Sequence, residues 1–125
     1  MPQSVKDYMD AANAEVERIG PDAAMTMIRD EDALLLDVRD APELAGGRIP
    51  GAHHVPRGML EFRADAATPY HDPALRADRP VIVYCASGGR SALAGKTLRD
   101  MGYGRVYNLG GFKDWVEGGG EVERD

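Results

Sequence analysis

The sequence predicts an α/β domain in which helices cover both faces of a parallel β-sheet. Residues 33–36 and 81–84 are continuous apolar runs of strand length, which is typical of strands buried on both faces. Segments with helical spacing of apolar residues alternate with these runs, as expected where helices connect parallel strands. At 125 residues the chain has the length of one domain.

Composition excludes several classes of protein. No apolar run approaches the ~18 residues that a membrane span requires, and the first residues lack the apolar core of a signal peptide. We therefore expect a cytoplasmic protein with no membrane association. A net charge of −6 without a basic stripe argues against nucleic-acid binding.

Residues 1–15 are predicted to form an N-terminal helical extension. Residues 4–7 match a capping box, and five apolar residues then share one helical face: Val5, Tyr8, Met9, Ala12 and Val16. We expect this helix to pack on the domain or on a second copy of the chain, as in a homodimer. A short strand at 16–19 follows, and Pro21 can then begin a helix that runs to about residue 29. The inward face of that helix is predicted to contain Ala24, Met25 and Ile28.

The strand at 33–36 leads directly into a polar turn. Asp37 is expected to accept backbone N–H bonds there, and Arg39 is expected to pair with Glu43. A turn-rich connection over 46–52 and a short strand at 53–55 come next. The chain then makes a long excursion over 57–79, with a helix at 59–64.

The C-terminal third contains a last strand at 105–109 and a helix that Gly118 ends, followed by a frayed acidic tail over 119–125. The main domain is accordingly expected to span residues 16–118. The three histidines are His53, His54 and His71, and none has metal-ligand spacing to a cysteine. We expect no metal and no cofactor.

Cys85 lies where the apolar strand at 81–84 meets a helix predicted over 91–99. Residues 86–91 contain no proline, and Gly88 and Gly89 can take positive φ, so several backbone N–H groups can converge on one point. The helix N-terminus and Arg90 add positive charge, which favours an anion. A sulfur at that point should be a thiolate with a lowered pKa. The alternative is a buried structural cysteine, and the Gly-Gly-Arg that follows favours the functional interpretation.

The chain contains one cysteine, which limits the chemistry further. An internal disulfide, a dithiol redox pair and a cysteine-rich zinc site are all excluded. If Cys85 forms a sulfur–sulfur bond, the outer sulfur atom must therefore be transferred to a molecule outside the chain.

Four ordered motifs resemble those of a single-domain rhodanese, and the resemblance covers residues 16–118. They are residues 34–40 (LLLDVRD), 47–52 (GRIPGA), 85–91 (CASGGRS) and 110–115 (GGFKDW). The resemblance implies a five-stranded parallel sheet with helices on both faces, in which the strand ending at Asp37 neighbours the strand ending at Cys85. It also implies transfer of sulfane sulfur through a cysteine persulfide.

The resemblance carries residue roles and partners with it. Cys85 would be the nucleophile, a small anionic sulfur donor such as thiosulfate its substrate, and an external thiol its acceptor. The substrate would be bound by the loop residues Ala86, Ser87, Gly88, Gly89 and Arg90. Four other residues would support this loop, namely Asp37, Arg39, Arg48 and Ser91. Ala86 is neutral where the family often has a cation, which leaves Arg90 and Arg48 to hold the anion.

Three other functions compete with sulfur transfer. Related cell-cycle phosphatases have five residues between the cysteine and the arginine, whereas four separate Cys85 from Arg90, which disfavours a phosphatase or an arsenate reductase. A non-catalytic interaction module would bind a partner through the excursion at 57–79 and the N-terminal helix. A thiol-based sensor would stop at the modified cysteine.

Overall fold

A computed structural model describes residues 2–124 and contains a five-stranded parallel sheet. In chain order the strands are β1 (Glu17–Arg18), β2 (Leu34–Asp37), β3 (His53–His54), β4 (Val81–Cys85) and β5 (Val106–Gly111). Their order across the sheet is β1-β5-β4-β2-β3. The predicted architecture is confirmed, including the neighbouring positions of the strands that end at Asp37 and Cys85.

Five α-helices and two 3₁₀ segments connect the strands. The helices are α1 (Val5–Glu15), α2 (Pro21–Glu31), α3 (Leu60–Ala64), α4 (Gly89–Asp100) and α5 (Phe112–Glu117), and the 3₁₀ segments are Ala41–Gly46 and Arg57–Met59. Within residues 2–124, none of the helices has the length and apolar character needed to cross a bilayer.

The sheet separates two apolar clusters. Alternate residues of β2 and β4 point to opposite faces, so Leu36 and Val83 join one cluster while Leu35 and Ile82 join the other. Helices α3 and α4 contribute to the first cluster, and α2 and α5 contribute to the second. Both faces of β2 and β4 are therefore buried, which explains the continuous apolar sequence of these strands.

The pairing of β4 with β5 contains an irregularity. Val83 lies opposite Asn108, but the next residue, Tyr84, lies opposite Gly110, so Leu109 is an extra residue in β5. Such a bulge bends its strand and redirects the side chains that follow. The bulge lies immediately before the sheet edge at which Cys85 ends β4.

Helix α1 packs on its own domain, which confirms one of the two predicted arrangements. Its capping box forms between Ser4 and Asp7, and its buried face consists of Ala12 and the following Val16. A Cβ on Gly95 of α4 would lie 2.9 Å from a methyl carbon of Val16, so the chain segments meet at very close range. Val5 and Tyr8 were expected on the buried face, but they are exposed.

Two further expectations about packing are wrong. Met25 is 49% exposed, and Met27 takes the inward position beside Ala24, because a residue three positions along a helix returns to the same face. The C-terminal tail was expected to be frayed, but it is held against the domain at Glu123. The backbone of Glu123 exchanges two hydrogen bonds of 2.8 and 2.9 Å with that of Arg48.

Candidate active site

Cys85 ends β4 at the carboxyl edge of the sheet, and its sulfur lies beneath the loop that leads into α4. The residue is 1% exposed. The N–H of Gly88 donates to Sγ at 3.0 Å, and the N–H of Ser91 donates at 3.4 Å. Gly88 has φ of 103°, a left-handed conformation that favours glycine and turns its N–H toward the sulfur. Gly89 was also expected to take positive φ, but it does not, because it is the first residue of α4. The predicted convergence of amides on the sulfur is therefore present at these two residues.

The surroundings of the sulfur lower the pKa of the Cys85 thiol. Burial raises this pKa, but the hydrogen bond between Sγ and the Ser91 side chain, together with those from the backbone N–H groups of Ser91, Gly88 and Ser87, outweighs burial. These donors stabilise the thiolate without a formal charge in contact with it. Within residues 2–124, the N–H groups of Ala86, Gly89 and Arg90 make no hydrogen bond to Sγ.

A buried polar network behind the sulfur involves a residue that sequence reasoning missed. The Ser91 hydroxyl lies 3.4 Å from Sγ and donates to Asn108 Oδ1 at 2.7 Å. The Asn108 side chain also accepts from the N–H of Gly110 at 2.8 Å and donates to the carbonyl of Gly88. Asn108 therefore ties β5 to the cysteine loop. Asn108 could have been found from the sequence, because it is an amide side chain within a strand predicted at 105–109, and a buried amide requires hydrogen-bond partners.

The loop also rests on the backbone of the next strand. A Cβ on Gly111 would lie 2.5 Å from the carbonyl oxygen of Ala86 and 2.8 Å from the Cα of Ser87. Glycine at this position thus allows the end of β5 to touch the loop directly. The same glycine lies opposite Cys85 in the sheet.

Arg90 is held by a carboxylate. Its two terminal nitrogens donate to the two oxygens of Glu43 at 2.8 and 2.9 Å, and both side chains are about one third exposed. The hydrogen bonds from Arg90 hold the pKa of Glu43 at about 2, despite the opposing effect of burial. The expectation that Arg39 pairs with the Glu43 carboxylate is therefore wrong.

Arg39 turns back to Asp37 instead. Its guanidinium donates to both carboxylate oxygens of Asp37, the shortest bond being 2.8 Å, and both residues are buried. Asp37 also accepts the backbone N–H of Arg39, as expected. The guanidinium then bonds to the carbonyl of Gly47 and lies 4.6 Å from the ring centre of Phe112. This pair supports the loops around the site through buried contacts.

Arg48, the fourth residue expected to support the loop, bonds elsewhere. Its guanidinium donates to the Glu123 carboxylate at 2.8 Å, so it lies with the C-terminal tail. Of the residues predicted to surround Cys85, the structure thus assembles the loop and Ser91 around the sulfur. Asp37 and Arg39 form a second layer.

Comparison with known proteins places this arrangement in context. A family model described as a rhodanese-like domain matches residues 20–118. The thiosulfate sulfurtransferase GlpE of Pseudomonas fluorescens is 37% identical over 103 residues, covering 82% of this chain and 86% of that protein. The uncharacterized protein YqhL of Bacillus subtilis is 40% identical over 92 residues, which cover 73% of this chain but 64% of YqhL.

A solved structure from Rhodopseudomonas palustris is similar over almost its whole length. It has a TM-score of 0.88 and 39% identity, and the match covers 98% of this chain and 99% of that one. That protein is described as one of unknown function and a possible tyrosine phosphatase.

Proposed function

This chain belongs to the rhodanese-like domain family, and we propose that it is a sulfurtransferase that uses Cys85. It would move sulfane sulfur from thiosulfate or a persulfide donor to a thiol or another nucleophile. The observation that carries the proposal is the set of hydrogen-bond donors around the chain's one thiol, which favours the thiolate. Relatives named as sulfurtransferases support the same reaction class.

The first half-reaction forms the persulfide. The Cys85 thiolate attacks the outer sulfur of thiosulfate, and a new sulfur–sulfur bond forms as the sulfur–sulfur bond of the donor breaks. Sulfite leaves with the electron pair of the broken bond. One thiolate and one thiosulfate dianion thus become a persulfide anion and a sulfite dianion, and no proton or oxidant is needed.

The second half-reaction removes the outer sulfur. An external nucleophile attacks it, and the electron pair of the persulfide bond returns to Cys85 as a thiolate. With cyanide as acceptor, the product is thiocyanate. A chain with one cysteine has no second thiol to resolve the persulfide, so an external acceptor is consistent with its composition.

The loop can stabilise the negative charge on the outer sulfur. The N–H groups of Gly88 and Ser91 already contact Sγ, while those of Ala86, Gly89 and Arg90 belong to the same short loop and do not contact it within residues 2–124. We assign these three amides to the outer sulfur of the persulfide. Preorganised donors of this type stabilise a developing anion without reorganising during the reaction.

The test is a mass measurement on intact protein. Purified protein incubated with thiosulfate should gain one sulfur atom, and cyanide should remove it with release of thiocyanate. Cys85→Ser should gain nothing. If the unchanged protein gains no sulfur from thiosulfate or from small-molecule persulfides, the proposal is wrong.

A phosphatase is the second candidate, because the similar protein from Rhodopseudomonas palustris is described as a possible tyrosine phosphatase. The four residues between Cys85 and Arg90 argue against it, and the bidentate bond to Glu43 already occupies the arginine. Hydrolysis of p-nitrophenyl phosphate that Cys85→Ser abolishes would favour the phosphatase. A sensor would gain sulfur but deliver it to no thiol, and a non-catalytic module would not gain sulfur.

A further inference from the structure

Arg18 lies at the carboxyl end of β1, on the same sheet edge as Cys85. It pairs in register with Asn108 of β5, and β5 lies between β1 and the strand that carries Cys85. The carboxyl ends of parallel strands share one edge, which is where ligands bind in open α/β sheets.

The guanidinium of Arg18 reaches across the end of β5 to the cysteine loop. A Cβ on Gly110 would lie 2.5 Å from Nη2 of Arg18, and a Cβ on Gly88 would lie 3.7 Å from Nη1. The side chain can cross β5 only because Gly110 has no side chain. Gly88 is the residue whose N–H contacts the sulfur at 3.0 Å, so Nη1 lies within about 10 Å of Sγ.

Arg18 has no carboxylate partner among residues 2–124, unlike Arg90 and Arg48, the two arginines expected to hold the anion. The guanidinium of Arg90 is bound by Glu43, and that of Arg48 is bound by Glu123. Over residues 2–124, Arg18 takes part in no side-chain hydrogen bond or ion pair, although Asp114 lines the same small surface cleft of about 170 Å³. Its donors are therefore available to a ligand.

We propose that Arg18 binds the anionic end of the sulfur donor, the sulfonate group in the case of thiosulfate. This inference rests on the proposed function, because it assigns a donor-binding role at the same site. The loop amides hold the sulfur that is transferred, and Arg18 holds the oxygen atoms that leave with sulfite. An arginine matches such oxygens with paired N–H donors. The proposal also explains how a loop with neutral Ala86 and a neutralised Arg90 attracts a dianion.

The test measures thiosulfate binding separately from turnover. In a Cys85→Ser background, which cannot form a persulfide, titration calorimetry should show thiosulfate binding that Arg18→Gln weakens about tenfold, as expected for loss of one charge-assisted contact. Arg18→Lys should retain part of the affinity, because it keeps the charge but loses the paired donors. Arg29→Gln is the matched control, since Arg29 is an exposed arginine in the last turn of α2.

In the chain that retains Cys85, Arg18→Gln should raise the KM for thiosulfate about tenfold while a preformed persulfide still passes its sulfur to cyanide at the original rate. Equal thiosulfate affinity in Arg18→Gln and Arg29→Gln, or no saturable binding in the Cys85→Ser background, would overturn the inference. Binding that depends on Arg18 without any sulfur gain by the unchanged protein would refute the sulfurtransferase proposal and leave the anion-binding role intact.

Discussion

The buried pair of Asp37 and Arg39 shows how much one side chain supports at this site. Both are almost inaccessible to water, and Arg39 also contacts the carbonyl of Gly47 and the ring of Phe112. The pair thereby connects the end of β2, the 3₁₀ segment after it and the start of α5. Removing one partner leaves the other as a buried, unpaired charge, which costs more than the pair itself contributes.

Replacing Arg39 with Met should lower the free energy of unfolding by about 3–5 kcal/mol, because the Asp37 carboxylate would remain buried without its partner. Urea denaturation followed by circular dichroism measures this loss. The double variant Asp37→Leu/Arg39→Met should lose less than the single variant, since it leaves no unpaired charge. A loss below about 1 kcal/mol in the single variant would show that water reaches the carboxylate.

At the scale of elements, Glu43 joins the 3₁₀ segment Ala41–Gly46 to the start of α4. Its carboxylate binds the guanidinium of Arg90 and also accepts the backbone N–H of Asp40. The pKa of Glu43 in the folded protein is about 2, below its ordinary value of 4.5, chiefly because of the hydrogen bonds from Arg90. The ion pair therefore stabilises the folded protein above pH 4.5, and this contribution is lost as the pH falls toward 2.

The urea midpoint of the unchanged protein should accordingly fall more between pH 5 and pH 2.5 than that of Glu43→Gln, which has no carboxylate to protonate. Converted to free energy of unfolding, the loss in the unchanged protein should exceed the loss in Glu43→Gln by less than about 1 kcal/mol, because the pair is partly exposed to solvent. Glu117→Gln, at the end of α5, serves as the control and should follow the unchanged protein. Identical pH profiles for Glu43→Gln and the unchanged protein would mean that the pair contributes nothing to stability.

At the scale of the whole molecule, α1 precedes the first strand of the sheet and contacts the start of α4, next to the site. Ala12 is buried between α1 and the domain, and Met9 lies close to Gly89, where a Cβ would be 3.8 Å from its methyl group. The family match begins at residue 20, after this helix. We therefore expect residues 1–15 to stabilise the loop without being required for the fold.

A chain that starts at residue 16 should fold with its sheet intact and a Tm lower by about 5 °C or more, because the α4 surface beneath α1 becomes exposed. Thermal denaturation followed by circular dichroism measures the change, and the mass assay measures sulfur gain. Retained sulfur gain would support a separable extension. A shortened chain that does not fold would show that α1 is an integral part of the domain.

The sequence predicted the central strands, their neighbours and the cysteine loop because these features depend on local signals. The apolar runs around Leu35 and Ile82 indicate buried strands, and a glycine at position 88 allows the loop to turn an N–H toward the sulfur. Local signals also located the capping box at Ser4.

Long-range pairing of charged side chains could not be predicted in the same way. Two arginines, Arg39 and Arg90, lie close to Glu43. The carboxylate pairs with Arg90 because the 3₁₀ segment packs beside α4, and Arg39 pairs with Asp37. The position of Arg18 depends on the pairing of β1 with β5. Arg18 lies opposite Asn108 in the sheet, although the two residues are ninety positions apart in the sequence. Sequence separation of this size hides such contacts until the sheet order is known.

The extra residue in β5 has a consequence for recombination between related chains. Leu109 displaces Gly110 and Gly111 by one step relative to a regular strand, and α5 begins immediately after them. A chimera that takes β5 from a regular strand and α5 from this chain would turn the helix toward the opposite side of the sheet. Any crossover point should therefore lie before Val106 or after Glu117, so that strand, glycines and helix are inherited as one block.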